Sequence, residues 1–166
     1  RLDDFVGYTS PKFQGVLSLT INKMKNPVKA GRDFESYAVN YSGKAFQAAL
    51  AKDRQMKGYD STRVSLLIPF NKSQLGFILQ QSQDLSSGIE NNGQVISFVK
   101  EVSDQGKIKF QHASSSMKVD SGKHATIGYD HLINSNVKLF TFYSLIDSPD
   151  KSRNKNIFSI GLEYKF

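Results

Sequence analysis

In the last stretch of the chain Phe158, Ile160, Leu162, Tyr164 and Phe166 alternate with Ser159, Gly161, Glu163 and Lys165. A period of two sends successive side chains to opposite faces of a β-strand, so such a strand needs an apolar neighbour on one side and water on the other. The alternation recurs upstream. Val64, Leu66, Ile68 and Phe70 oppose Arg63, Ser65 and Leu67, and Leu75, Phe77 and Leu79 oppose Gln74, Gly76 and Gln80. Ile108 and Phe110 oppose Lys107, Lys109 and Gln111, while Ala125, Ile127 and Tyr129 oppose His124, Thr126, Gly128 and Asp130. Segments 94–102 and 136–146 alternate less cleanly, with Lys100, Phe140 and Phe142 fitting neither face.

A face crowded with Lys, Arg, Gln and Asp must meet water, because burying unpaired charge is too costly. If the other face meets lipid, the polar face lines a lumen. An open sheet packing one apolar face on another gives the same alternation, but no helix or second apolar layer is apparent to cover so many strands. The composition suits a barrel. Hydrophobic residues make up 39% of the 166, below the usual globular share, yet there are twelve Phe and seven Tyr. The longest apolar stretch, 64–70, is far shorter than the roughly 20 residues of a membrane helix, whereas a barrel strand needs only about 9–11. The absence of Cys excludes disulfides, cysteine nucleophiles and thiolate metal sites. Arg1-Leu2-Asp3-Asp4 opens with charge and no apolar run follows, which predicts a processed chain or a fragment. The net charge of +7 suits nucleic acid, an anionic membrane surface or anionic solutes, but the basic residues are dispersed rather than clustered, and no nucleic-acid partner is expected.

Eleven strand-like segments are predicted, near 1–9, 13–23, 34–42, 44–51, 62–71, 73–82, 94–102, 107–113, 124–132, 136–146 and 156–166. Short connections at 10–12, 42–44, 71–72, 103–106 and 133–135 alternate with long ones near 24–33, 52–61, 83–93, 114–123 and 147–155. Short turns at one end and long loops at the other are the habit of transmembrane barrels. The long loops hold half of the Lys and Arg.

Two local patterns carry a family resemblance. Gly161, Tyr164 and the terminal Phe166 resemble the C-terminal assembly signal of bacterial outer-membrane β-barrels. Arg1, Tyr8, Ser10, Pro11, Phe13 and Gly15 resemble a segment of the trimeric general porins of Gram-negative bacteria, with Asp4 and Phe5 departing from it; Gly128-Tyr129-Asp130 and Ile146-Asp147 also match. The resemblance implies a sixteen-stranded antiparallel barrel in which the segment opening with the matching Arg is the sixth strand. Sixth to sixteenth is eleven, so residues 1–166 are expected to be the C-terminal part of one porin β-barrel domain. A remaining N-terminal porin segment, holding the first strands and the constriction loop, becomes an implied partner, a homotrimer the implied assembly, and lipopolysaccharide and outer-membrane lipid the implied surroundings of the basic long loops.

No catalytic constellation stands out. His112, His124 and His131 are scattered, and Asp130 and His131 point to opposite faces. No phosphate loop and no metal-ligand spacing occurs, so the expectation is a non-enzyme without cofactor or metal. The expected chemistry is electrostatic: a pore that selects small hydrophilic, preferentially anionic solutes by width and wall charge. Alternation and resemblance together nominate Arg1, Asp3, Arg63, Lys107, Lys109, Gln111 and Lys138 as pore-lining, Arg1 at the constriction, with Gly161, Tyr164 and Phe166 as the assembly signal. A soluble all-β ligand-binding module, and a small complete outer-membrane barrel acting as enzyme or adhesin, stay open as alternatives.

Overall fold

The computed structural model describes residues 5–25, 33–117 and 122–166, without the side chain of Phe5. Eleven strands join one sheet whose hydrogen-bonded neighbours follow chain order. They are β1 (Phe5–Thr9), β2 (Leu17–Met24), β3 (Phe34–Ser42), β4 (Gln47–Met56), β5 (Tyr59–Phe70), β6 (Ser73–Asp84), β7 (Glu90–Glu101), β8 (Gly106–Ser115), β9 (Gly122–Leu132), β10 (Val137–Asp147) and β11 (Lys155–Tyr164). One short 3₁₀ turn, Lys151–Arg153, precedes β11, and no helix among the described residues is long and apolar enough to cross a membrane. The chain forms two compact units, residues 1–67 with 78–92 and residues 68–77 with 93–166.

Strand number and order follow the sequence reading, but several boundaries move. Residues 52–61, expected as a long loop, are mostly strand: β4 and β5 extend to a two-residue turn at Lys57 (φ 51) and Gly58 (φ 89). Two consecutive positive φ values make the tight hairpin whose twist matches its strands. Asn71 (φ 39) and Lys72 (φ 60) do the same between β5 and β6. Loop 83–93 likewise shrinks to 85–89. Alternation disappears where a strand leaves the apolar band, because both faces then meet water, so composition marks those residues as loop. In the other direction, β2 starts at Leu17 rather than Phe13, because residues 13–16 form a turn in which Gln14 and Gly15 have φ of 48 and 73.

Register sorts the side chains of each unit into two faces. In the first unit Tyr8 pairs with Ile21, Ile21 with Tyr37, Leu19 with Val39, Val39 with Leu50 and Leu50 with Val64, an unbroken apolar field. Thr9–Thr20, Asn22–Ser36, Ser36–Asp53 and Asp53–Ser61 form the opposite, polar face. In the second unit Phe98 pairs with Phe110, Phe110 with Ile127, Ile127 with Tyr143 and Tyr143 with Phe158. Leu139 and Leu162 continue that apolar face.

The molecule is turned inside out relative to a water-soluble fold. Among the described residues Met24 is the one buried hydrophobic, while Ser82 and Ser144 are buried. Ile127, Phe158, Ile160 and Leu162 are all more than half exposed on one face. Apolar surface that large and continuous requires an apolar solvent or partner. The strands supply the matching height: β5, β6 and β7 each have 12 residues, enough for a band of about 25 Å when tilted.

Candidate functional site

On the polar face of the first unit, Arg63 of β5 reaches Gln80 of β6, donating from Nε (2.9 Å) and Nη2 (2.5 Å) to Oε1. Gln80 donates in turn to the Ser82 hydroxyl at 2.9 Å, and Ser82 meets Ser61 at 3.0 Å. A neutral amide therefore orients the guanidinium and leaves its positive charge uncancelled by that contact.

The polar face of the second unit carries a band of alternating charge at its short-turn end. Lys107 stands directly opposite Glu101 and bonds it at 2.8 Å. Asp130 receives Lys109 at 2.5 Å and Lys138 at 3.9 Å, and Lys138 also bonds Glu163, directly opposite, at 2.5 Å. The band thus sets three lysines against three carboxylates. Such solvent-accessible pairs, with Asp130 and Lys138 half-buried, add little to stability. Their consequence is electrostatic: adjacent opposite charges present a field that decays faster than that of isolated lysines.

Above the band lie hydroxyl, imidazole and amide groups. Thr126 shares hydrogen bonds with His124 Nε2 (2.9 Å) and the buried Ser144 hydroxyl (2.8 Å). Gln111 pairs in register with Ser97 and Thr126. Two aromatics break the polar pattern. Phe140, opposite Gly161, and Phe142, opposite Gly128, project to this face. A Cβ built on Gly161 would overlap the Phe140 ring, lying nearest to its Cζ and only 2.8 Å from Cε2. The glycine provides the floor on which that ring lies. Sequence reasoning missed this, and the one available signal was the pairing of an out-of-phase aromatic with a glycine across a hairpin.

Of the nominated residues, Arg63, Lys107, Lys109, Gln111 and Lys138 all project to the polar face of their own unit. The structure joins Lys109 and Lys138 through Asp130, and gives Lys107 its own partner. Arg1 and Asp3 lie outside the described residues. Gly161 sits on the polar face and Tyr164 on the apolar one. Phe166 lies beyond β11, fully exposed, and its ring meets Tyr164 at 5.7 Å. Lys100, unplaced by the sequence, shares the apolar face with Ile96 and Phe98 at the short-turn edge, where a long basic side chain can reach the headgroups. No group of three or more His, Cys, Asp and Glu residues among the described ones is arranged to hold a metal.

This sheet, with one apolar and one charged, water-facing side, defines the wall of a transmembrane β-barrel. Comparison with solved structures gives the kind of barrel. An anion-selective porin from Comamonas acidovorans superposes with TM-score 0.73 at 17% identity, over 99% of this chain and 60% of that one. OmpF of Salmonella typhi, in complex with daunomycin, superposes with TM-score 0.77 at 14% identity, over 98% and 62%. The NanC porin matches at TM-score 0.56 and 12% identity over 100% of both chains. The chain has the outer-membrane porin fold, and spans about three-fifths of the first two porins. No family model and no curated protein matches it.

Proposed function

We propose that the chain forms the C-terminal part of the wall of an outer-membrane porin, a water-filled channel for passive diffusion of small hydrophilic solutes. The observation that supports this best is the segregation of faces through the strand register: exposed Ile, Leu, Phe and Tyr on one side, paired charges and hydroxyls on the other. A lipid-facing surface and a hydrated lumen are the two environments that accommodate both. Strands from outside this sequence complete the barrel, in keeping with the 60% and 62% of the longer porins that the chain spans. A homotrimer is the assembly we infer, with lipopolysaccharide against the basic outer loops. The porin likeness points to a channel rather than an enzyme.

For selectivity we infer a modest anion preference carried by Arg63 and Arg1. Lys107, Lys109 and Lys138 project to the polar face of the second unit but are matched by Glu101, Asp130 and Glu163. The test is conductance of the full-length protein in planar bilayers, with reversal potentials across a salt gradient. Stable, weakly selective channels are expected; a protein that extracts without detergent and gives no channels refutes the proposal. A second reading, a small complete barrel, draws on the full-length match to the NanC porin. Residues 1–166 refolded alone decide between the two: stable channels favour the small barrel, and their absence favours a wall completed by other strands, because unpaired strand edges in lipid cost several kcal/mol per backbone group, by rough estimate.

A further inference from the structure

A water-filled channel does not need aromatic rings on its wall, yet Phe140 and Phe142 both project to the polar face of the second unit. They lie in an open concavity that also takes in Asp130, Lys138, Glu163 and Gln111. The Phe140 ring is laid across Gly161, so a flat face is held parallel to the wall rather than standing free in water. Donors and acceptors of both kinds border it: ammonium from Lys138, carboxylates from Asp130 and Glu163, and an amide from Gln111. The charges cancel in pairs once Lys109, which also borders the concavity, is counted: Lys109 meets Asp130 and Lys138 meets Glu163.

We propose that this concavity is a binding subsite for a neutral sugar ring, a step on the wall that holds a pyranoside as it crosses the channel. The inference rests on the porin reading, which places this face in channel water. A pyranose has apolar C–H faces and a rim of hydroxyls. Stacking on Phe140 removes apolar surface of both partners from water, and the surrounding carboxylates, ammonium and amide exchange hydrogen bonds with the rim. A net-charged solute gains little from a band whose charges already cancel. An aliphatic solute would leave the polar rim desolvated and unmatched.

The test is ion-current block by maltose in full-length channels in planar bilayers, for wild type, Phe140→Ala, Phe140→Leu, Phe140→Tyr and Phe158→Ala. Phe140→Leu keeps apolar bulk but removes the flat ring, so it serves if the alanine variant does not assemble. Block that rises with maltose concentration is expected in wild type, weakened by about tenfold in Phe140→Ala and Phe140→Leu, on the scale of an aromatic stack with its buried area. Phe140→Tyr and Phe158→Ala, the latter on the apolar face, should block as wild type does. Open channels that maltose does not block, or block unchanged in Phe140→Leu, overturn the subsite and leave the porin reading intact. Absence of any channel in wild type defeats both.

Discussion

Gly161 offers the sharpest test of the packing on the polar face. It is nominated by sequence as part of an assembly signal, but the fold gives it a second duty under the Phe140 ring. In Gly161→Ala a single methyl would meet three carbons of that ring, Cζ, Cε2 and Cε1. Backbone conformation is no obstacle, since Gly161 is not among the residues of positive φ. The ring is the far end of a mobile side chain, so it can swing off the glycine instead of forcing the strands apart. The loss is then the ring's contact with the sheet plus some rotamer strain, about 1–2 kcal/mol, the lower part of the range for overpacking. Removing the ring first should reverse the sign. In a Phe140→Ala background the added methyl meets no ring, and Gly161→Ala should stabilise by about 0.5 kcal/mol through the usual gain of alanine over glycine in a strand. The coupling between the two positions should therefore be about 1.5–2.5 kcal/mol. Equilibrium urea unfolding of the full-length protein, refolded in detergent without the insertion machinery, measures the four variants and separates packing from signal recognition. Equal effects of Gly161→Ala with and without Phe140 would refute the reasoning.

Further expectations concern charge, faces and the terminus. Asp130→Asn leaves Lys109 and Lys138 without their shared carboxylate and should shift the reversal potential toward anions, whereas the neutral exchange Lys109→Gln with Asp130→Asn should leave it near wild type; a shift in the double variant equal to that of Asp130→Asn alone would count against the paired band. Arg63→Gln should lower anion preference, and should do so less as salt rises, because the Debye length falls from about 10 Å at 0.1 M to about 3 Å at 1 M. Ile160→Lys on the apolar face should cost about 2–4 kcal/mol in bilayer refolding titrations if it lies near the midplane, while Ser97→Lys on the polar face should be tolerated; equal costs would undo the assignment of faces. Deleting Phe166, whose described ring contact is with Tyr164 alone, should lower outer-membrane levels in cells but leave refolded stability almost unchanged, as compared by membrane fractionation and unfolding in detergent.

The sequence by itself determined the strand count, their antiparallel order and which side chains share a face within most strands. A period of two is local, so Val64 to Phe70 or Phe158 to Tyr164 can be sorted without knowing any neighbour. Arg63, Lys107, Lys109, Gln111 and Lys138 were placed on the polar side by the same rule. Where strands rise beyond the apolar band, as at 52–56, the signal vanished, because no difference of solvent remains to write it. The tertiary structure alone decided who stands opposite whom. Asp130 gathers Lys109 and Lys138 from residues 21 and 8 positions away only once β8, β9 and β10 are in register. That register turned three lysines expected to act as free positive charges into half of a balanced band. It also put Phe140 above Gly161, making a place for an aromatic ring that no single strand's alternation predicted. Alternation is set by each residue's own solvent, whereas pairing is set by hydrogen bonds between segments distant in sequence, and only the folded sheet contains both.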